Sequence, residues 1–246
     1  MSQGDDAFSS SAEAAARDSE QLLDPGLWQP TLEKYTEAVH LAVALVDGKG
    51  HCGSITNPGR TWRLLRSKAS AAADECAFAV LPVRPCTCVA DAWRTGRLVF
   101  AQDRVGLMHF AVPLLLGEHR VGALLGGQVF DQFPQQLGLE HAAELMGISP
   151  EDVWHTACRE HPVKRRTLQA YADLLSLIGA TLLQTRYQKL VEEQRLAEME
   201  RLRKDLQERV SDLELFEASV VGREIKMIEL EKEMAALKRQ SGKPES

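Results

Sequence analysis

Apolar positions follow three different rhythms along this chain. Between residues 97 and 130 they run almost unbroken, the pattern of strands covered on much of both faces. Three strands are predicted there: Leu98 to Gln102, Leu107 to Leu116 and Arg120 to Leu125, the last two joined by a Gly117-Glu118-His119 turn. Gly126 and Gly127 then close the third strand, which allows either a bulge or the close approach of a ligand. Leu41 to Val46 predicts an earlier strand. The Asp47-Gly48-Lys49-Gly50 turn would return it as a partner over Cys52 to Thr56.

Elsewhere before residue 186 the spacing is helical. Thr31 is a candidate N-cap for a helix through His40, and Arg60 to Ala73 carries Trp62, Leu64 and Leu65 on one helix. Leu81-Pro82-Val83-Arg84-Pro85 interrupts the chain, since two prolines so close cannot lie inside one helix. A helix should open at Cys86 and end at Gly96, and another should follow Pro134 near Leu139 to Leu145. Ser149 and Pro150 are arranged as N-cap and first helical residue of the next. A long final helix should begin after Pro162.

Beyond residue 186 the period becomes seven. Met199, Leu206, Leu213, Val220, Met227 and Met234 recur at that interval, with Leu202, Arg209, Phe216, Arg223, Leu230 and Leu237 three residues after each. Such a repeat predicts a coiled-coil seam, weakened by the two arginines, which could also set its register, with a candidate hinge at 219–222 around Gly222. The predicted organisation is a disordered acidic tail at 1–24, a globular domain at 25–185, a coiled coil at 186–240 and a short tail at 241–246.

Charge changes this picture little. Residues 1–24 carry −5, residues 25–185 are neutral and the remainder carries −1. A neutral globular part without a basic block argues against nucleic acid as a partner. The longest apolar run, Phe110 to Leu116, is too short to span a bilayer, and the acidic N-terminus does not suit a signal peptide. Five cysteines, an odd number, fit a reducing cytoplasm better than a disulfide framework.

Those cysteines are the sharpest chemical signal. Cys76, Cys86 and Cys88 lie within thirteen residues, and Cys52 sits on a segment that could approach them. Thiolates in this number would suit zinc or an iron–sulfur cluster, and Cys86-x-Cys88 at a helix start is where the helix dipole lowers thiol pKa. Metal binding, thiol redox sensing and plain packing all stay open. His109, inside the central strand, must face either core or cavity. The other histidines, except His40 at a helix end, read as turn or surface residues. Neither a His-Glu-x-x-His, a Gly-x-Ser-x-Gly nor a phosphate-loop pattern occurs, so a binding protein is expected rather than an enzyme.

The segments Leu41 to Asp47, Cys86 to Gly96, Gly106 to Pro113, Gly122 to Phe130 and Ala172 to Ile178 together resemble the PocR-type sensory domain of bacterial signalling proteins. Gln102 and Asp103 stand where that family often has a Cys-His pair. The resemblance implies an α+β, PAS-like fold, a mixed antiparallel sheet flanked by helices, which binds a small organic ligand. Val221 to Leu230 also looks like a short module that ends some bacterial sensors.

On this reading the 97–130 sheet is the floor of a ligand cavity. Cys86, Cys88, Phe100, His109, Gly126, Gly127 and Gln128 are its candidate contacts, and Cys52, Cys76, Cys86 and Cys88 are candidate metal ligands. The expected protein is cytoplasmic and homodimeric. It would pass a signal to a separate histidine kinase or other signalling protein of a two-component system. Residues after 186 hold neither a phosphoacceptor histidine block nor an ATP lid, so kinase activity is not expected of this chain. A cysteine-based metal or redox switch and a ligand-free coiled-coil scaffold are the alternatives.

Overall fold

A computed structural model describes residues 21–67, 76–80, 86–117, 119–240 and 242. Helix α1 (Pro25–Val39) precedes strand β1 (Ala42–Asp47), and two short helices, α2 (Arg60–Arg66) and α3 (Cys88–Thr95), follow. Strands β2 (Val99–Gln102), β3 (Leu107–Leu116) and β4 (His119–Phe130) come next. Then follow α4 (Gln136–Met146), α5 (Pro150–Cys158) and α6 (Arg165–Gln240). The strands form one sheet in the order β1-β4-β3-β2, and every pairing is antiparallel rather than mixed. This is the α+β architecture expected.

Several elements differ from their sequence-based outlines. The N-cap of α1 is Asp24 rather than Thr31, about two turns earlier, because Asp24 accepts the Gly26 N–H and Pro25 opens the helix; Pro30 is carried inside it. Leu22 and Leu23, assigned from sequence to the acidic tail, are buried. The predicted strand over 52–56 is reduced to two bridges, Val46 with Cys52 and Val43 with Thr56. Strand β4 does not stop at Leu125 but continues through the two glycines to Phe130. The proline break at 81–85, the end of the 60–73 helix and the turn residue Glu118 lie outside the described residues. Ser149 caps α5 as expected, its Oγ accepting the Asp152 N–H at 3.4 Å.

Alternation along the strands sorts the core. On one face Ala42, Ala44, Val46, Ala111, Ala123 and Leu125 pack with Phe78, Cys88 and Ala92 of the segment and helix above them. Toward the β2–β3 turn this layer continues as Leu107 and Phe130 against Leu65, Leu139 and Val153 of α2, α4 and α5. The opposite face carries Leu114 and Leu124, which lie directly against Gly179 of α6. Buried Leu168, Ala172, Leu175 and Leu183 form the inward stripe of that helix, and the Tyr35 hydroxyl of α1 donates to the Tyr171 carbonyl at 2.7 Å.

From residue 188 the chain forms a second unit, the remainder of α6. The helix runs without interruption through Gly222, so the expected hinge is not a break in the backbone. Met199, Leu202, Leu206, Leu213, Phe216, Met227, Leu230, Met234 and Leu237 are all exposed. Val221, Ile225 and Ile228 add a second exposed apolar row that the heptad pattern passes over. No described helix is long and apolar enough to cross a membrane.

One buried carboxylate organises the ground beneath the site. Asp103 Oδ1 accepts the N–H groups of Val105 at 3.1 Å and Leu107 at 2.9 Å, shaping the β2–β3 turn. Its Oδ2 accepts the Val80 N–H at 3.3 Å and so ties the 76–80 segment to the sheet. Burial pushes this carboxyl up to about 6, against the opposing pull of those hydrogen bonds. The folded chain therefore holds the proton more tightly than the unfolded chain, whose aspartates titrate near about 3.9. Stability should fall by about 3 kcal/mol as pH rises from about 4 to about 6, and stay lowered above that. Thermal melts across this range should show the fall in the wild type and a flatter profile in Asp103→Asn.

Candidate metal centre

Three separate stretches of chain bring four soft or borderline donors together. Cys88 is the first residue of α3 and Cys86 lies two residues before it. Cys76 lies four residues before Val80, whose N–H donates to Asp103. His109 stands on β3, two residues from Ala111 and hence on the same sheet face as the α3 layer.

The donor atoms of Cys76, Cys86, Cys88 and His109 all lie within 4.8 Å of one another. His109 Nε2 is 3.1 Å from Cys86 Sγ and 3.8 Å from Cys76 Sγ. Cys88 Sγ is 3.3 Å from Cys86 Sγ and 3.9 Å from Cys76 Sγ. A tetrahedral ion with metal–sulfur bonds of about 2.3 Å keeps its donors roughly 3.8 Å apart. The four separations, from 3.1 to 3.9 Å, bracket that edge length. Convergence on one point suits a single ion; an iron–sulfur cluster needs thiolates that surround several irons.

His109 reaches this position because of an irregularity in its neighbour strand. Met108 pairs with Val129 but His109 pairs with Gly127, so Gln128 is an extra residue in β4, a β-bulge. Gly127 has φ +132°, and a Cβ there would stand 2.6 Å from His109 Cα and from the Met108 carbonyl oxygen. No other residue type fits. Of the two sequence-based readings of the glycine pair, the structure has the bulge together with a close approach by the protein's own groups: Gly126 lies under the Phe110 ring and Gly127 under His109. The bulge also shifts the alternation of β4, which puts Phe130 opposite Leu107 on the same layer.

The thiols are electrically unequal. Hydrogen bonds from Cys86 and then Cys88 hold the Cys76 thiol well below the ordinary thiol range, against its own burial, and the N–H groups of Phe78 and Ala79 assist. Cys88 moves the other way, raised by its contacts with the Cys76 and Cys86 sulfurs and by its own burial. The arrangement thus favours the thiolate at Cys76, and an ion bound there would displace the protons of its neighbours. Cys88 and His109 are both 2% exposed, whereas Cys76 and Cys86 are only half-buried. His109 Nδ1 is buried with no partner among the described residues.

Not every candidate belongs here. Cys52 packs beside this layer but is not among the converging donors; burial pushes its thiol up to about 11. Phe100 pairs with Phe110 on the opposite face, their rings 5.6 Å apart, with Arg165 over it at 6.0 Å. Gly126 faces that same side. Gln128 turns to the start of α2, where its Oε1 accepts the Gly59 N–H at 3.0 Å. Sequence reasoning reaches three of the four converging donors and misses His109 as the fourth. Its signal is a histidine at a core-facing strand position twenty-one residues after Cys88, but nothing local distinguishes it from a packed histidine.

Comparison with known proteins decides the family. The family model for the sensory domain found in PocR matches residues 21–187. The chain belongs to this family. No curated protein and no solved structure matches it. The PocR domain thus contains the whole sheet, all four donors and the start of α6, and its match ends where the second unit begins.

In reduced, metal-free protein we expect ultraviolet thiolate absorbance to persist well below pH 7 and to disappear in Cys76→Ser. Thiols that all titrate together in the ordinary range near about 8.5 would contradict a favoured thiolate at Cys76.

Proposed function

We propose that this PocR sensory domain signals through a single thiolate-rich metal centre of the zinc class, held by Cys76, Cys86, Cys88 and His109. The convergence of four donor atoms within 4.8 Å, supplied by three separate segments, carries this reading. Three thiolates and one imidazole close a tetrahedron, the arrangement of an ion that is held rather than one that keeps an open position for catalysis.

Binding would draw the 76–80 segment and the start of α3 onto His109, so occupancy is felt by β3 and β4. Those strands present Leu114 and Leu124 to Gly179 on their other face, which gives the domain a packed route into α6. The exposed seam of α6 would pair two chains as a coiled coil, and a separate signalling protein would read the pair. A coupling of about 1–3 kcal/mol is the usual scale for such a relay.

Elemental analysis of reduced, zinc-reconstituted protein should give one ion per chain. Cys88→Ser and His109→Ala should lose it, Cys52→Ser and Cys158→Ser should retain it, and cobalt loading should give a thiolate-to-metal absorption band. Absence of stoichiometric metal after reconstitution would sink the proposal. Sedimentation addresses the relay separately: the full chain should be a dimer at micromolar concentration, and Leu206→Lys with Leu213→Lys should make it a monomer.

A further inference from the structure

A cleft of about 640 Å³ opens between the end of α1, the turn into α2, the end of β4, residues 159–163 and Tyr171 of α6. It contains none of the four converging donors. Three features of its lining bear on what it could hold. Among the described residues, the non-glycine positions with left-handed backbone are His40 (φ 59°), Asn57 (φ 54°) and Gln128 (φ 62°), and all three line this cleft. His40 is the left-handed C-cap of α1 and Gln128 the extra residue of the β4 bulge, so an ordinary cap and a bulge bring both side chains to this cleft.

The second feature is Gln128 itself, 2% exposed. Its Oε1 is fixed by the Gly59 N–H, which sets the orientation of the carboxamide, while its Nε2 has no hydrogen-bond partner among the described residues. A buried amide donor left unsatisfied is unfavourable, and an acceptor on a ligand would recover that loss. The third is charge. Arg60, Arg63 and Arg159 line the cleft against one acid, Glu160, which is already engaged by the Thr61 N–H at 2.8 Å. Arg63 spends one donor on the Pro58 carbonyl at 3.2 Å. Val39, Val129 and Phe130 supply apolar wall beside these groups.

We propose that the cleft binds a small organic acid, its carboxylate taken by the arginines and the Gln128 amide, its hydrocarbon body lying on the apolar wall. Guanidinium groups meet carboxylates with paired, charge-assisted hydrogen bonds, and the volume is ordinary for a small-molecule site. This acid site is separate from the metal centre and does not depend on it.

Calorimetric titration of the full chain at constant ionic strength, with benzoate, hexanoate, succinate and inorganic phosphate, tests this. Benzyl alcohol and hexanol serve as neutral counterparts. At least one of benzoate and hexanoate should saturate, binding about tenfold or more tightly than its alcohol. Arg63→Gln and Arg159→Gln should each weaken it about tenfold, as should Gln128→Leu. Gln128→Asn, which tolerates the same backbone, should fold normally and reveal loss of reach alone. Arg94→Gln, on α3, should bind as the wild type does. Equal binding of acid and alcohol would overturn the proposal, as would phosphate alone binding, insensitivity to the arginine variants, or no probe saturating below about 5 mM. Metal content is measured on the same samples, so failure of the metal centre and failure of the acid site are read separately.

Discussion

The contact between Gly127 and the backbone of His109 is the constraint on which this domain turns. Two strands approach so closely that a single methyl group at residue 127 would stand 2.6 Å from the opposing Cα. The bulge that follows resolves the register by leaving Gln128 unpaired in a left-handed conformation. One local irregularity therefore has two outcomes. It seats the histidine beside three cysteines on one side, and it delivers a buried carboxamide to a cleft lined by arginines on the other. Strain of this sort persists where the surrounding packing over-determines it. Here Ala42 on β1, His109 on β3 and the α2 turn all pin the bulge.

The cluster illustrates why buried thiols in company are chemically different from a buried thiol alone. Cys52, set among apolar side chains, is pushed toward the protonated form and behaves as a small packed side chain. In the same layer, Cys76 receives hydrogen bonds from two neighbours and is drawn toward the ionised form. Both are half-buried; partners differ. The same logic makes Asp103 important although it is not one of the donors. By accepting N–H groups from both the β2–β3 turn and Val80, it keeps the Cys76 segment near the sheet despite the cost of its own desolvation.

The sheet is a single thin layer. Residues on one face lie beside the donors, and Leu114 and Leu124 on the other face lie against Gly179 of α6. The large apolar residues exposed beyond residue 188 are ones whose burial would be favourable by about 1.5–3 kcal/mol each.

Local chemistry alone makes much of this protein legible. The heptads beyond 186, the Ser149-Pro150 helix start, the Gly96 helix end and the three apolar strands follow from periodicity and capping, which act over a few residues. The family resemblance and three of the four converging donors are likewise readable. Other features are set by distance in space. Whether Cys52 or His109 completes the cysteine group depends on which strand faces α3, and pairing with Gly127 decides that. Whether Gly126 and Gly127 end a strand or run through it depends on β1 and β3, both remote in sequence. The 52–56 segment has strand composition yet forms only two bridges, because sheet pairing is a property of partners and not of residues. A sequence specifies periodicity and end signals through neighbours. Register, bulge and the meeting of distant donors exist only once the strands have packed, since the three cysteines are too far from His109 along the chain to reach it except by folding.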